Sequence, residues 1–334
     1  MVSAAGGDEH DDADVLVDAS GIELREAVVP VESHGQRLDI ALVQIVPEFS
    51  RSYLQQLIDS GGVAHNGRTQ TKASVKVKAG DRLSIELKPT PQSQAFKPEP
   101  MALDVVYEDS HILVINKPVG LVVHPAPGNW SGTLLNGLLA RDAQAAILPR
   151  AGIVHRLDKN TSGLMVVART RQAMDQLVQM IAARTVNRQY IALAHHTWQG
   201  AKTRTVDLSV GRDVKNRLRM AVVDLAKNSG KSASTTITLL ENGRNCCMVR
   251  CKLHTGRTHQ IRVHMAAIGH PLVADELYGG ISAGGLQRQA LHACELSFEH
   301  PVTAELLRFK SPIPVDIQAA LIPTGLSYNS LSKF

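Results

Sequence analysis

The 334-residue chain has only four cysteines, Cys246, Cys247, Cys251 and Cys294, all late in the sequence. They are too few to form a disulfide framework and read as free thiols in a reducing cytoplasm. No apolar run approaches the roughly 20 residues that span a bilayer, so no membrane partner is expected. The first residues are acidic and lack the basic and apolar regions of a secretory signal. Gly-rich nucleotide loops of the G-x-G-x-x-G or Walker type are missing. No internal repeat with a period of about 20–50 residues is present.

Acid and base are unevenly shared. The net charge is +5, yet the first 26 residues carry eight acids against one base, Arg25. Without them, 35 bases face 23 acids, a net +12. A body that basic suits a polyanionic partner, without distinguishing RNA from DNA. Residues 1–30 read as a disordered acidic tail.

Residues 31–88 read as a small separate domain. Arg37–Leu42 starts one amphipathic helix, and Ser50–Ile58 forms a second with Ser50 or Ser52 as N-cap. Gly61-Gly62 stops it, and Asn66-Gly67 favours a hairpin. Residues 89–102, with Pro89, Pro91, Pro98 and Pro100, read as an extended linker. From residue 103 to 325 the chain becomes strand-rich. Short apolar runs at Val105–Glu108, His111–Asn116, Gly120–His124 and Leu164–Ala168 are separated by turn residues. Thr133 caps a helix over Leu134–Ala140, and Arg171–Ala183 is a helix with one apolar face. Arg188–Leu193, Ser234–Leu240, Cys247–Leu253, Ala290–Phe298 and Ala304–Phe309 read as strands, and Val315–Leu321 as a last helix.

Two stretches carry the chemistry. The first is His155-Arg156-Leu157-Asp158-Lys159-Asn160-Thr161-Ser162-Gly163-Leu164. A lone acid, Asp158, sits among His155, Arg156 and Lys159 on a turn-forming loop just before a buried strand. The second is His254-Thr255-Gly256-Arg257-Thr258-His259-Gln260-Ile261-Arg262. Here Thr258 reads as an N-cap, Ile261, Met265 and Ile268 as a buried helical face, and His259 and Arg262 as neighbours on another face. Gly269-His270-Pro271 ends that helix. A metal centre is the rival reading of Cys246, Cys247, Cys251, His254, His259 and His264. Cys246 and Cys247 point to opposite faces of a strand, however, and no second Cys-x2–4-Cys pair accompanies the one that ends at Cys251. No metal is expected, and the cysteines read as small core residues.

The first stretch closely resembles the central motif of the RluA-type pseudouridine synthases, with Asn160 where the family usually carries Asp. The second stretch and the segment Tyr107–Pro125 resemble further family motifs. Residues 31–88 resemble the S4 RNA-binding domain. The resemblance implies an α+β fold. In it, a mixed, largely antiparallel sheet with flanking helices follows the S4-like domain.

The activity implied is cofactor-free isomerisation of uridine to pseudouridine. Asp158 would act as nucleophile or base, with Arg262 beside it favouring the ionised carboxylate. Tyr190, one of five tyrosines, matches the family's active-site residue in its Arg-x-Tyr strand. Its ring would stack on uracil, and its hydroxyl is a candidate for removing the C5 proton. Arg156 would fill the gap left by a flipped base. His155, Lys159, Arg257 and His259 would bind RNA at the site, while Arg37, Arg51, Arg68 and Lys72 would meet phosphates in the S4-like domain.

The expected partner is a stem-loop of large-subunit ribosomal RNA, free or in a pre-ribosomal particle, met by a monomeric enzyme. Alternatives are the same chemistry on other ribosomal RNA sites or on tRNA, and a non-catalytic RNA-binding or ribosome assembly factor.

Overall fold

The computed structural model describes residues 23–47, 49–87, 95–126, 128–216 and 219–327. They fall into two compact units, 23–87 and 95–327. The acidic run up to residue 22 lies outside the described residues. The expected tail nevertheless ends too late at residue 30, because Glu23–Val28 is a strand, β1. Its charged residues hide a pairing partner some sixty positions away.

In the smaller unit β1 is followed by α1 (Leu38–Ile45), α2 (Arg51–Asp59), β2 (Val63–His65), β3 (Arg68–Gln70) and β4 (Arg82–Leu87). The strands form an antiparallel sheet in the order β1-β4-β2-β3. Ser50 caps α2, its side chain accepting from Tyr53 N. Asn66 and Gly67 both have positive φ, as a two-residue hairpin turn requires. Leu38, Leu42, Leu54, Ile58, Val63 and Ile85 are fully buried between helices and sheet.

In the larger unit, residues 95–102 are not a free linker. Asn136 Nδ2 donates to the carbonyls of Ala95 and Lys97, and Glu99 accepts from Gly132 N. Then come β5 (Val105–Glu108), β6 (Ile112–Lys117), α3 (Leu134–Arg141), β7 (Ser162–Ala168), α4 (Arg171–Ala182) and β8 (Asn187–His195). These are followed by β9 (Thr203–Asp207), β10 (Val210–Arg212), β11 (Met220–Val222), β12 (Gly230–Lys231), β13 (Ser234–Asn242) and β14 (Cys246–Leu253). Last are α5 (Gln260–Ala267), β15 (Leu291–Glu299), β16 (Leu306–Lys310) and α6 (Val315–Thr324).

The main sheet runs β5-β6-β7-β15-β8-β14-β13-β9, with β16 also on β15. Only the β7–β15 pairing is parallel among these described strands, so the sheet is mixed and largely antiparallel. The run Gly120–His124 is not a strand. The carbonyls of Val122 and Val123 instead accept from Leu134 N and Leu135 N, serving the start of α3.

The sheet has two apolar faces. Tyr190, Ala192, Cys247, Val249 and Cys251 belong to one core, and Ile191, Leu193, Cys246 and Met248 to another. Cys246 and Cys247 therefore do point to opposite faces. Gly163 sits where β7 meets β15. Its φ is +116°, and a Cβ there would stand 2.2 Å from Ala293 O. Only glycine fits this start to β7.

Candidate active site

Asp158 stands on the loop leading into β7, and that loop is tied from three directions. The buried Lys117 ammonium donates to the carbonyls of Pro118, Leu121 and Lys159 at 2.8–3.1 Å. Burial pushes its pKa down to about 8, against the opposing pull of Asp158. Arg288 donates to Asn160 O at 3.0 Å, and Gln289 to Thr161 Oγ1 at 3.3 Å. Contact at Asn160 is thus through its backbone carbonyl.

Arg262, on α5, reaches this loop. Its Nη1 donates to Asp158 Oδ2 at 3.2 Å. Its Nε and Nη2 both donate to Asp275, at 2.8 Å each. Its guanidinium carbon lies 4.9 Å from the centre of the Tyr278 ring. Burial alone would lower the Arg262 pKa, but the bonds to Asp275 and Asp158 outweigh it and raise the value.

His259 Nε2 is 3.9 Å from Asp158 Oδ1, and His259 Nδ1 is 2.8 Å from the Tyr278 hydroxyl. That hydroxyl already accepts from Met220 N at 2.9 Å, so its own proton is available to His259 Nδ1. With Nδ1 accepting that proton, a neutral imidazole carries its own on Nε2, the nitrogen nearer Asp158. Burial lowers the His259 pKa, with Asp158 opposing.

The start of α5 differs from the sequence expectation. Its N-cap is His259, in the left-handed region at φ 56°, and Thr258 does not cap it. Gln260 fixes the turn instead. Its Oε1 accepts from Arg257 N and Thr255 Oγ1, and its Nε2 donates to Ser234 O and Thr235 Oγ1. A left-handed non-glycine residue costs of order 1–3 kcal/mol, and here it swings His259 toward Asp158.

Tyr190 lies on β8 opposite Cys251 and Ala293 and is 4% exposed. Burial pushes its hydroxyl up to about 12, so it keeps its proton at neutral pH. These groups line a cleft of about 640 Å³ whose charged walls include Arg150, Arg156, Arg184, Arg188, Arg257 and Arg262. Asp158 is its one acidic wall residue among the described residues.

The structure thus gathers Asp158, Tyr190, Arg262, His259, His155, Arg156 and Arg257 around one cleft. Arg156 is exposed at its edge. His155 is held inward, its Nε2 accepting from Val166 N at 3.1 Å. Lys159 is exposed outside the wall, with Nζ 3.4 Å from Asn129 Oδ1.

In the smaller unit Arg37 and Arg51 converge on the fully buried Asp39 at 2.9 and 2.8 Å, and Gln55 joins them. Burial opposes the Asp39 charge, but these bonds hold its carboxyl well below the usual range. Both arginines stay half-exposed, and Arg68 and Lys72 are exposed.

Sequence reasoning passed over Lys117, Arg188, Asp275 and Tyr278. Arg188 had a usable signal, since it lies two residues before Tyr190 and so on the same face of the strand.

A basic cleft with one clamped carboxylate, set across a mixed sheet, suits an enzyme that works on a polyanionic substrate. The chain belongs to the RNA pseudouridine synthases, the isomerases that convert uridine in RNA to pseudouridine. The family model for RNA pseudouridylate synthase matches residues 111–267, and that for the S4 domain matches residues 36–83.

Among its relatives, ribosomal large subunit pseudouridine synthase D of Neisseria meningitidis serogroup B is 46% identical, over 93% of this chain and 84% of that protein. The protein of the same name from Xanthomonas campestris is 45% identical, over 88% and 91%. Among solved structures, human RNA pseudouridylate synthase domain containing 1 superposes with a TM-score of 0.54 at 28% identity. It covers 70% of this chain and 96% of that one.

Proposed function

We propose that the chain converts specific uridines of large-subunit ribosomal RNA to pseudouridine, with Asp158 at the centre of the reaction and no cofactor. The observation that carries the role of Asp158 is its geometry. It is the acid of a cationic cleft, held by Arg262 at 3.2 Å and by a loop tied down at Lys159, Asn160 and Thr161. The names of the relatives support the choice of RNA.

The reaction breaks the N1–C1′ bond, turns the base and rejoins it through C5. Asp158 either attacks C1′ or takes a C2′ proton; an ionised, positioned carboxylate serves both routes. Tyr190 stacks on the base. As burial keeps its own proton in place, it does not stand as a phenolate base at C5. Arg156, exposed at the cleft edge, takes the place of the flipped base. Arg68 and Lys72, with the outer faces of Arg37 and Arg51, bind phosphates. The setting is the cytoplasm, supported by four free thiols. There the monomer meets RNA alone or in a pre-ribosomal particle.

Mapping pseudouridines in ribosomal RNA from a deletion strain tests this reading. Specific large-subunit sites should revert to uridine and return on complementation. Unchanged ribosomal RNA, with sites lost from tRNA instead, would overturn the substrate assignment.

A further inference from the structure

The cleft is lined by two side chains, Arg188 and His155, each with a buried hydrogen-bond donor that no described protein group uses. Arg188 is 6% exposed, and its Nε is buried without an acceptor. No carboxylate pairs with it among the described residues. The nearby Gly256 keeps the loop close over it, since a Cβ there would stand 2.8 Å from Arg188 Nη1. A guanidinium buried without a counter-charge is strongly unfavourable unless a ligand supplies one.

The second donor is His155. Its Nε2 accepts from Val166 N, so the single proton of the neutral ring is on Nδ1. That Nδ1 is also buried without an acceptor. Burial and the Arg188 charge keep the ring neutral, with a pKa down to about 3.

Position selects what these donors meet. Arg150, Arg156 and Arg184 are exposed at the cleft edge, where a phosphate backbone arrives first. Arg188 lies deep, on the same strand face as Tyr190 and two residues from it. A base turned out of its stack, rather than its phosphate, is the part of an RNA suited to that depth.

We propose that Arg188 and His155 donate to the carbonyl oxygens of the uracil ring and stabilise it as the anion that leaves C1′. The inference rests on the reading of Asp158 above. When the N1–C1′ bond breaks, its electron pair stays with the base and spreads to O2 and O4. C1′ is discharged by bonding to the Asp158 carboxylate or by loss of the C2′ proton to it. Either way the base is a monoanion until C5 bonds C1′, which releases the carboxylate or draws a proton back to C2′; the C5 proton then departs and N1 takes one up. Preorganised donors aimed at developing negative charge act in this way. Arg188 is thus a catalytic residue, contacting the base directly.

The test compares the full-length wild type with Arg188→Met and Arg188→Lys under single turnover, on RNA carrying uridine or 5-fluorouridine at the target. Loss of the nucleoside is read by digestion and chromatography, alongside RNA affinity against salt and the melting temperature. Arg188→Met should slow uridine loss by about 100-fold to 1,000-fold and leave affinity and salt slope unchanged. The deficit should shrink on 5-fluorouridine, whose base is intrinsically the more stable anion. Arg188→Lys should fall between Met and wild type. The melting temperature of Arg188→Met should hold or rise, because an unpaired buried charge is removed.

An equal deficit on both bases would overturn the inference. So would a wild-type rate with weakened, less salt-dependent binding, which marks a phosphate contact. Loss of the fold in both variants would make Arg188 structural and overturn it as well. Wild-type turnover is the control; if wild type fails on this RNA, the functional reading falls, not Arg188 alone.

Discussion

Arg262 divides its guanidinium between two carboxylates: one nitrogen reaches Asp158 at 3.2 Å, while two others clasp Asp275 at 2.8 Å each. Asp275 is fully sheltered, with 1% of its side chain exposed. It is a positioning residue, which aims Arg262 without facing the cleft. Asp275→Asn should therefore lower the single-turnover rate at least about 10-fold while RNA affinity stays near wild type. Breaking this buried pair should also cost about 3–5 kcal/mol in stability. Denaturant unfolding together with rates at saturating RNA checks both. An intact rate in a destabilised protein would show that Asp275 serves the fold alone.

Arg262→Lys is not a conservative change here. An ammonium is a point charge and cannot clasp Asp275 with two nitrogens while a third reaches Asp158. We expect Arg262→Lys to lose most of the activity, close to the loss in Arg262→Ala. Rates for the two variants side by side decide this, and a Lys variant near wild type would reduce Arg262 to a simple counter-charge.

Much of this arrangement was legible in the sequence, for local reasons. Thr133 and Ser50 cap helices because their side chains accept from backbone N–H groups three residues on. Strands β7, β8 and β14 follow from apolar, β-branched runs. What was missed depends on partners distant in sequence. β1 pairs directly with β4, whose residues lie far along the chain. His259 takes a left-handed conformation because Gln260 is held by Ser234 and Thr235 on β13. Asp158, Tyr190 and Arg262 come from three separate segments, so their convergence was read from family resemblance and not from spacing. Asp275 and Tyr278 had no local signal; they matter only through Arg262 and His259.

Acid should destabilise the protein through buried histidines. Burial pushes His155 down to about 3 and His292 down to about 4, so both are neutral when folded. In the unfolded chain a histidine titrates near about 6.5. Between these values the unfolded state binds more protons, so stability rises with pH there and is lost as pH falls. Melting temperatures should drop from about pH 6.5 towards about pH 4. His292→Gln should make that drop shallower. An unchanged slope in the variant would remove His292 from the effect.

Deleting residues 1–94 should weaken RNA binding and flatten its salt dependence. Each lost phosphate contact removes roughly 0.7–0.9 from the magnitude of the log–log slope. Residues 95–327 form a compact unit with its own core, so the truncated protein should fold and still modify RNA at high concentration. Affinity measured across a salt series checks this. An unchanged slope would mean that Arg37, Arg51, Arg68 and Lys72 do not meet RNA.

The most direct measurement is release of tritium from C5-labelled large-subunit ribosomal RNA by wild type and by Asp158→Asn at saturating enzyme. The amide keeps the shape of the side chain but is neither nucleophile nor base. Wild type should release tritium. Asp158→Asn should fall at least about 1,000-fold while binding the RNA with nearly unchanged affinity. Tritium release by Asp158→Asn near the wild-type rate would contradict the account at its centre.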